Sequence, residues 1–355
     1  MSEQNKILLP QGFHDHLPPE ASTEVKLNNI VLKTISLFGY ELVRPAMMEF
    51  EESLDKDFTS DFFKVTDTIS GKMMVIRNDI TPQIARIVKD RYGIEAMTKT
   101  IRLAYTGQVI RRLGKGRFTE RQLTQAGYEL ISESSAKRDA EILFIAAETY
   151  QNAGIKDFTI DFVYPKLTPI LLKEKNFSEG ETYEVIKLIE TKDIQILRSN
   201  PKLADIVKII TISDSASDLP SAIQALKQLE KEISSKEVNQ IFTRTREVLE
   251  ILAKSVPSLK ISLNLLEVMG FHYHNGLCYS FISGKNFDEI GRGGRYKISL
   301  NKENNLSAAG FTFLINSMLR SVNIEQRIDI KKLSYDDGFS KSKADREKNV
   351  TTIFE

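Results

Sequence analysis

Apolar residues recur along this chain with two periods, one helical and one of strands. After Pro18-Pro19-Glu20, the positions Val25, Ile30, Val31, Leu32, Ile35, Leu37 and Phe38 return at helical spacing, and Gly39 is placed to stop the helix. YELVRPAM then reads as a strand ending at Pro45, because a missing N–H is best tolerated at a strand end. Lys64 to Arg77 reads as a hairpin turning at Ser70-Gly71. In RNDITPQIARIVKDRYG, Thr81 suits a helix N-cap, Pro82 the first helical position and Gly93 the close. Ile101 to Ile110 and Gln122 to Ile131 read as two strands around an arginine-rich loop. Ala136 to Ala153 is an amphipathic helix stopped by Gly154, and DFTIDFVY is a further strand.

From about Pro165 to Leu259 the pattern is helical, rich in Lys, Glu and Ser. Strands resume in ISLNLLEVMGF and HYHNGLCYSFISG, with Asn275-Gly276 as a candidate turn. DEIGRGGRYK reads as a Gly-rich turn, and SAAGFTFLINSMLRSV as a strand running into a helix. From about Asp329 the chain is charged and poor in core residues, which predicts a loose tail. Strands early and late around a helical stretch predict an α+β domain, an antiparallel sheet flanked by helices with a helical insertion. The expected division is residues 1–162 and 261–325 for the core, 163–260 for the insertion and 326–355 for a flexible tail.

Composition narrows this picture. At 355 residues the chain exceeds one ordinary domain, which fits a core with an insertion. Apolar residues at 41% and charged residues at 27% describe a globular protein. A net charge of +1 argues against nucleic-acid binding by global charge, though a local basic patch stays open. Cys278 is the single cysteine, so no intrachain disulfide and no cysteine zinc cluster can form. Reducing cytoplasm is the expected location. The start, MSEQNKILLPQGFHDHLPPE, is polar and Pro-broken, unlike a signal peptide. No apolar run approaches the ~18 residues that cross a bilayer, so no membrane partner is expected.

The candidate chemistry begins in VIRRLGKGRFTERQLTQAGYEL, which places Arg111, Arg112, Lys115, Arg117 and Arg121 around Gly114 and Gly116. Such a loop is suited to an anion. Asp79-x-Thr81 is, taken alone, a helix cap with a dipole-stabilising carboxylate. His272-x-His274 would put two rings on one strand face, but a metal lacks its third ligand there. GRGGRY, taken alone, is compatible with a phosphate cradle. His14 and His16 suit a surface turn, and Cys278 a buried strand.

Several segments, in order, resemble the catalytic core of class II aminoacyl-tRNA synthetases of the histidyl type. LPQGFHDHLPPE with YELVRPAMMEFEESL is similar to the first motif, Pro45 being its signature proline. RNDITPQIAR resembles the segment that holds the amino group of histidine. The arginine-rich loop resembles the second motif, which grips ATP. HYHNGLCYSF and IGRGGRY resemble the two histidyl-specific segments, and AAGFTFLINSML the third motif. The wording of LPQGFHDHLPPEA, RNDITPQIARIV, RLAYTGQVIR and ERQLTQAGYELI is more similar still to the regulatory-subunit family of ATP phosphoribosyltransferase, a paralogue of the synthetase.

The resemblance also shows what is missing. The Glu that follows the second-motif Arg is replaced by Leu113, and the third-motif Glu-Arg pair by Asn316 and Ser317, with Arg320 one helical turn away. An Arg expected beside the α-phosphate falls at Met269, and a later Glu at Ser280. Each such preorganised group is worth about 3 kcal/mol in a transition state. Only a few dozen residues follow Ser317, where an active enzyme carries an anticodon-binding domain, so tRNA is not an expected partner. The amino-acid half is kept: Asp79 and Thr81 for the ammonium, Arg111 for the carboxylate, and Gln125, Glu129 and Tyr273 at positions that contact histidine. Gln125 and Glu129 lie on one strand face. His272 and Arg295 are further candidates, while His272, His274 and Ser280 depart from the imidazole end of the family pattern.

What the resemblance implies is a non-catalytic subunit without cofactor or metal. It would activate the short-form ATP phosphoribosyltransferase catalytic subunit at the first step of histidine biosynthesis, bind free histidine as feedback inhibitor, and pair with itself through the first-motif region. A divergent histidyl-tRNA synthetase and a stand-alone synthetase-like binding module remain the alternatives.

Overall fold

The first amphipathic run folds as α1 (Glu20–Leu37), which buries Leu27, Val31 and Ile35. It leads into β1 (Glu41–Val43) and then a small antiparallel sheet of β2 (Met48–Phe50), β3 (Phe63–Thr66) and β4 (Met73–Ile76). The computed structural model describes residues 9–54, 62–112, 120–268, 273–323, 330–333, 338–348 and 350–354. Leu113, the Gly114-Lys115-Gly116 stretch, Arg117, Met269 and His272 lie outside the described residues.

The helix expected after Asp79 is α2 (Thr81–Ile87), continued by a single wide turn over Val88–Tyr92 and closed at Gly93 with φ +51°. Thr81 is the first helical residue rather than the cap, and its hydroxyl is used elsewhere. The two long strands are β5 (Ile101–Ile110) and β6 (Gln122–Ile131), followed by α3 (Ala136–Asn152) and β7 (Phe158–Val163). The chain is then helical through α4 (Leu167–Glu174), α5 (Glu179–Glu190), α6 (Ile194–Ser199), α7 (Ala204–Ser213), α8 (Leu219–Glu232) and α9 (Lys236–Ser255). Capping boxes at Ser178/Glu181 and Asp218/Ser221 start α5 and α8, each satisfying two backbone or side-chain donors at a helix start.

The chain returns to the sheet as β8 (Lys260–Leu263), β9 (His274–Ser283), β10 (Glu289–Ser299) and β11 (Asn305–Leu314), ending in α10 (Ile315–Ser321). Two expectations are corrected here. Asn275-Gly276 does not turn the chain but lies inside β9, and GRGGRY is not a turn but the middle of β10. GRGGRY pairs with β9 and β11 and its glycines serve close packing, whereas Asn275-Gly276 fall at a register irregularity of β9 opposite Arg295. A Cβ at Gly293 would stand 2.2 Å from the Gly310 carbonyl oxygen.

The main sheet has eight strands in the order β1-β5-β6-β11-β10-β9-β7-β8. Its central pairings are antiparallel, but β1 runs parallel to β5 and β7 parallel to β8 at the two edges. Parallel neighbours need long crossovers. The segment through α2 supplies one and the helices α4 to α9 supply the other. The period of two sorts the strands between two cores. Ala126, Tyr128 and Leu130 of β6 face α1, α3 and the helices after β7, whereas Leu103 and Tyr105 of β5 join Ile80 and Ile84 by α2.

The stretch expected as a loose tail is described in part. Among the described residues it holds β12 (Ile330–Leu333), α11 (Gly338–Glu347) and β13 (Thr351–Phe354), with β12 parallel to β13. Leu333 of β12 is buried.

Candidate functional site

Every second residue of β6 from Gln125 to Glu129 points away from the larger core, toward the start of α2. Glycines make room for what gathers there. A Cβ at Gly127 would stand 2.4 Å from the Tyr105 hydroxyl. One at Gly310, which pairs with Glu129 across β6 and β11, would stand 1.7 Å from the Glu129 carboxylate.

Gln125, Glu129 and Thr81 are all buried. Gln125 Oε1 accepts from the Ile80 N–H at 3.3 Å, and the Asp79 carboxylate accepts from the same N–H at 2.8 Å. The Thr81 hydroxyl donates to Glu129 Oε1 at 3.0 Å, and the Tyr296 hydroxyl to Oε2 at 3.0 Å. Tyr105 reaches the same carboxyl at 3.4 Å and pairs with the Thr312 hydroxyl at 2.7 Å. The cap reading of Thr81 therefore fails: its hydroxyl joins α2 to the sheet. Burial pushes the Glu129 carboxyl up to about 8, and the Thr81 and Tyr296 hydroxyls pull it back only in part. Burial also raises the Tyr105 and Tyr296 phenols, which stay protonated as donors.

Tyr273 covers this group. Its ring stacks on His274 at 4.2 Å and meets Tyr296 edge-on at 5.9 Å. Burial drives the His274 imidazole down to about 3, so it is neutral at physiological pH. Arg111, the residue after β5, is partly buried. Burial lowers its pKa and the Asp79 carboxylate opposes that. Its guanidinium has no hydrogen-bond partner among the described residues. The structure thus gathers Asp79, Thr81, Gln125, Glu129 and Tyr273 with Arg111 at the border.

Arg295 is not part of the group. It lies on the opposite face of β10, where its guanidinium donates to Asp139 of α3 at 2.6 and 2.9 Å and to the Ser307 hydroxyl at 2.6 Å. Asp139 also pairs with Arg244 of α9 at 2.8 Å, so Arg295 joins sheet, α3 and α9. The arginine of β10 on the side of this group is Arg292, which sequence reasoning missed. It is bound to Glu289 through two N–H groups, and it stands within electrostatic reach of Asp79 and Tyr273. Glu289 also accepts from the Ser280 hydroxyl at 3.2 Å. The signal was available: had GRGGRY been read as a strand, its alternation would have put Arg292 and Tyr296 on one face.

The third-motif region offers a triphosphate little. Asn316 Oδ1 accepts from the Thr124 N–H at 2.8 Å, and Arg320 is held by Glu120 at 3.0 Å and Asp288 at 3.1 Å. Two carboxylates around the one arginine of α10 oppose a phosphate. Among the described residues no group of three His, Cys, Asp or Glu is arranged for a metal ion, and no helix is long and apolar enough to cross a membrane.

A sheet of this order, with a buried carboxyl and hydroxyls at its centre and a helical segment before β8, defines a histidyl-tRNA synthetase-like class II core. The histidyl-tRNA synthetase family profile matches residues 12–318. A histidyl-tRNA synthetase structure from a Nostoc species superposes at a TM-score of 0.79 with 19% identity, over 99% of this chain and 86% of that one. A structure from Bacillus halodurans, described as an ATP phosphoribosyltransferase regulatory subunit/histidyl-tRNA synthetase, superposes at 0.80 with 19% identity, over 100% and 94%. Sequence relatives are more specific. The ATP phosphoribosyltransferase regulatory subunit of Rhodospirillum centenum is 32% identical over 89% of this chain and 80% of its own length. That of Paramagnetospirillum magneticum is 32% identical over 90% and 82%. The chain belongs to the family of ATP phosphoribosyltransferase regulatory subunits, within the histidyl-tRNA synthetase fold.

Proposed function

We propose that this chain is a subunit without catalysis of its own, which activates a short-form ATP phosphoribosyltransferase catalytic subunit and carries histidine feedback inhibition. The observation that supports it is the split within one site. The groups suited to a free α-amino acid are together, while Arg320, the nearest substitute for a triphosphate clamp, is already occupied by Glu120 and Asp288. Asp79 is the anion for the ligand's ammonium, Arg111 the cation for its carboxylate, and Gln125, Glu129 and Tyr273 set the side-chain end. Feedback needs only a coupling of about 1–3 kcal/mol between this pocket and the partner's active state.

The names of the relatives support the pairing with a catalytic subunit. Self-pairing through the first-motif region fits exposed Leu37 and Leu42 at the end of α1 and in β1, and exposed Met48, Phe50, Val65 and Met73 in the three-stranded sheet. Cytoplasm is the compartment in which this step would operate.

The test is co-purification with a short-form catalytic subunit, followed by its turnover with and without histidine. The expected result is turnover that depends on this chain and falls with histidine. Absence of binding and of any change in turnover overturns the proposal. ATP–pyrophosphate exchange with histidine separates it from a divergent synthetase, which would show exchange where none is expected here.

A further inference from the structure

Between α5, α7 and the residues that follow β8 lies a cavity of about 330 Å³. Its wall is apolar, with Ile189, Ile209, Ile210, Leu263, Leu265 and Leu266. Its polar rim is unbalanced. Glu190, Asp214 and Glu267 line it against Lys192 alone among the lining residues. Behind the rim, the Asn264 side-chain amide donates to the Asp161 carboxylate at 2.7 Å, which places a further acid beside the cavity. Burial raises the Asp161 and Glu267 carboxyls, and the Asp161 charge adds to the rise at Glu267.

Ser213 provides an independent observation. It is 4% exposed and lines the cavity, yet its hydroxyl has no hydrogen-bond partner among the described residues. A serine in a helix ordinarily donates one turn back. A buried hydroxyl left unmatched is costly, so this one calls for a partner inside the cavity.

We propose that this cavity is a second ligand site, separate from the amino-acid pocket, and that it takes a small organic cation. The ligand has a compact apolar body for the isoleucine and leucine wall, an ammonium or amidinium group for the acidic rim, and a polar atom within reach of Ser213. The volume lies at the small end for ligand cavities. A neutral ligand would leave the acids unmatched, and an anion would be repelled. Lys192 is exposed at the rim, where its strongly hydrated ammonium is displaced into water at little cost.

The test is calorimetric titration of the full chain with cyclohexylammonium chloride, cyclohexanol and cyclohexanecarboxylate at millimolar concentration. The ammonium is expected to bind one per chain, with the neutral and anionic isosteres about tenfold weaker or more. Glu267→Gln is expected to weaken it, Ile210→Trp to abolish it by filling the cavity, and Asp79→Asn, in the amino-acid pocket, to leave it unchanged. If Ile210→Trp does not fold by circular dichroism, the pair Glu190→Gln and Glu267→Gln takes its place, with about tenfold weakening expected. Equal binding of the probes, no binding of any, indifference to the cavity variants, or loss in Asp79→Asn each overturns the proposal. The Asp79→Asn arm also keeps this result apart from the fate of the histidine reading.

Discussion

Glu129 makes the sharpest prediction about stability. Its carboxyl is about 1% exposed, receives hydroxyl donors from Thr81 and Tyr296, and has no cation among its hydrogen-bond partners in the described residues. Burial raises its pKa from 4.5 to about 8 in the folded chain. Between these values the unfolded chain releases a proton that the folded chain keeps. The folded state therefore binds more protons, and stability is lost as pH rises through this window and levels off above the folded pKa. Integrating the linkage, the loss from pH 5 to pH 7.5 is about 3 kcal/mol. Glu129→Gln preserves the shape without titrating. Its stability relative to the native chain is expected to grow by that amount across the window. The chain has no tryptophan, so urea unfolding should be followed by circular dichroism at each pH. A difference between variant and native chain that stays flat from pH 5 to pH 8 would refute a buried, proton-retaining Glu129.

Three further outcomes follow from the same geometry. Asp79→Asn or Arg111→Ala should each weaken histidine binding about tenfold or more, because each removes a charged hydrogen-bonding group, as calorimetry would read; unchanged affinity places histidine elsewhere. Asp139→Ala should destabilise the chain by about 3–5 kcal/mol, because it strands Arg295 and Arg244 without their shared carboxylate. Histidine binding by the folded chain should be unaffected, since this network lies on the far face of the sheet. Gly310→Ala should cost about 1–3 kcal/mol in denaturant unfolding and weaken histidine binding, because the added methyl displaces the Glu129 carboxylate.

Much of this was legible in the amino-acid order. The ends of β5 and β6 follow the apolar pattern of Ile101–Ile110 and Gln122–Ile131 to the residue, because long strands buried on both faces state their length in the sequence. The placing of Gln125 and Glu129 on one face follows from the strand period alone. Glycines misled where they punctuate loops in most chains. In β10 the side chains of Tyr279 and Phe311 and the Gly310 backbone press against Gly293, and nothing local announces those neighbours.

The sequence by itself determined the long strands and helices and which of their residues alternate together, though not the glycine-bearing course of β9 and β10. Tertiary structure alone decided the partners. Thr81 reads locally as a cap and becomes a donor to a carboxyl forty-eight positions away. Arg292 and Arg295 are three residues apart, yet one stands within electrostatic reach of Asp79 and Tyr273 and the other holds Asp139. Local propensity acts over a few residues. The charge state of Glu129 and the duty of each arginine are set by burial, and burial exists only once distant strands have met.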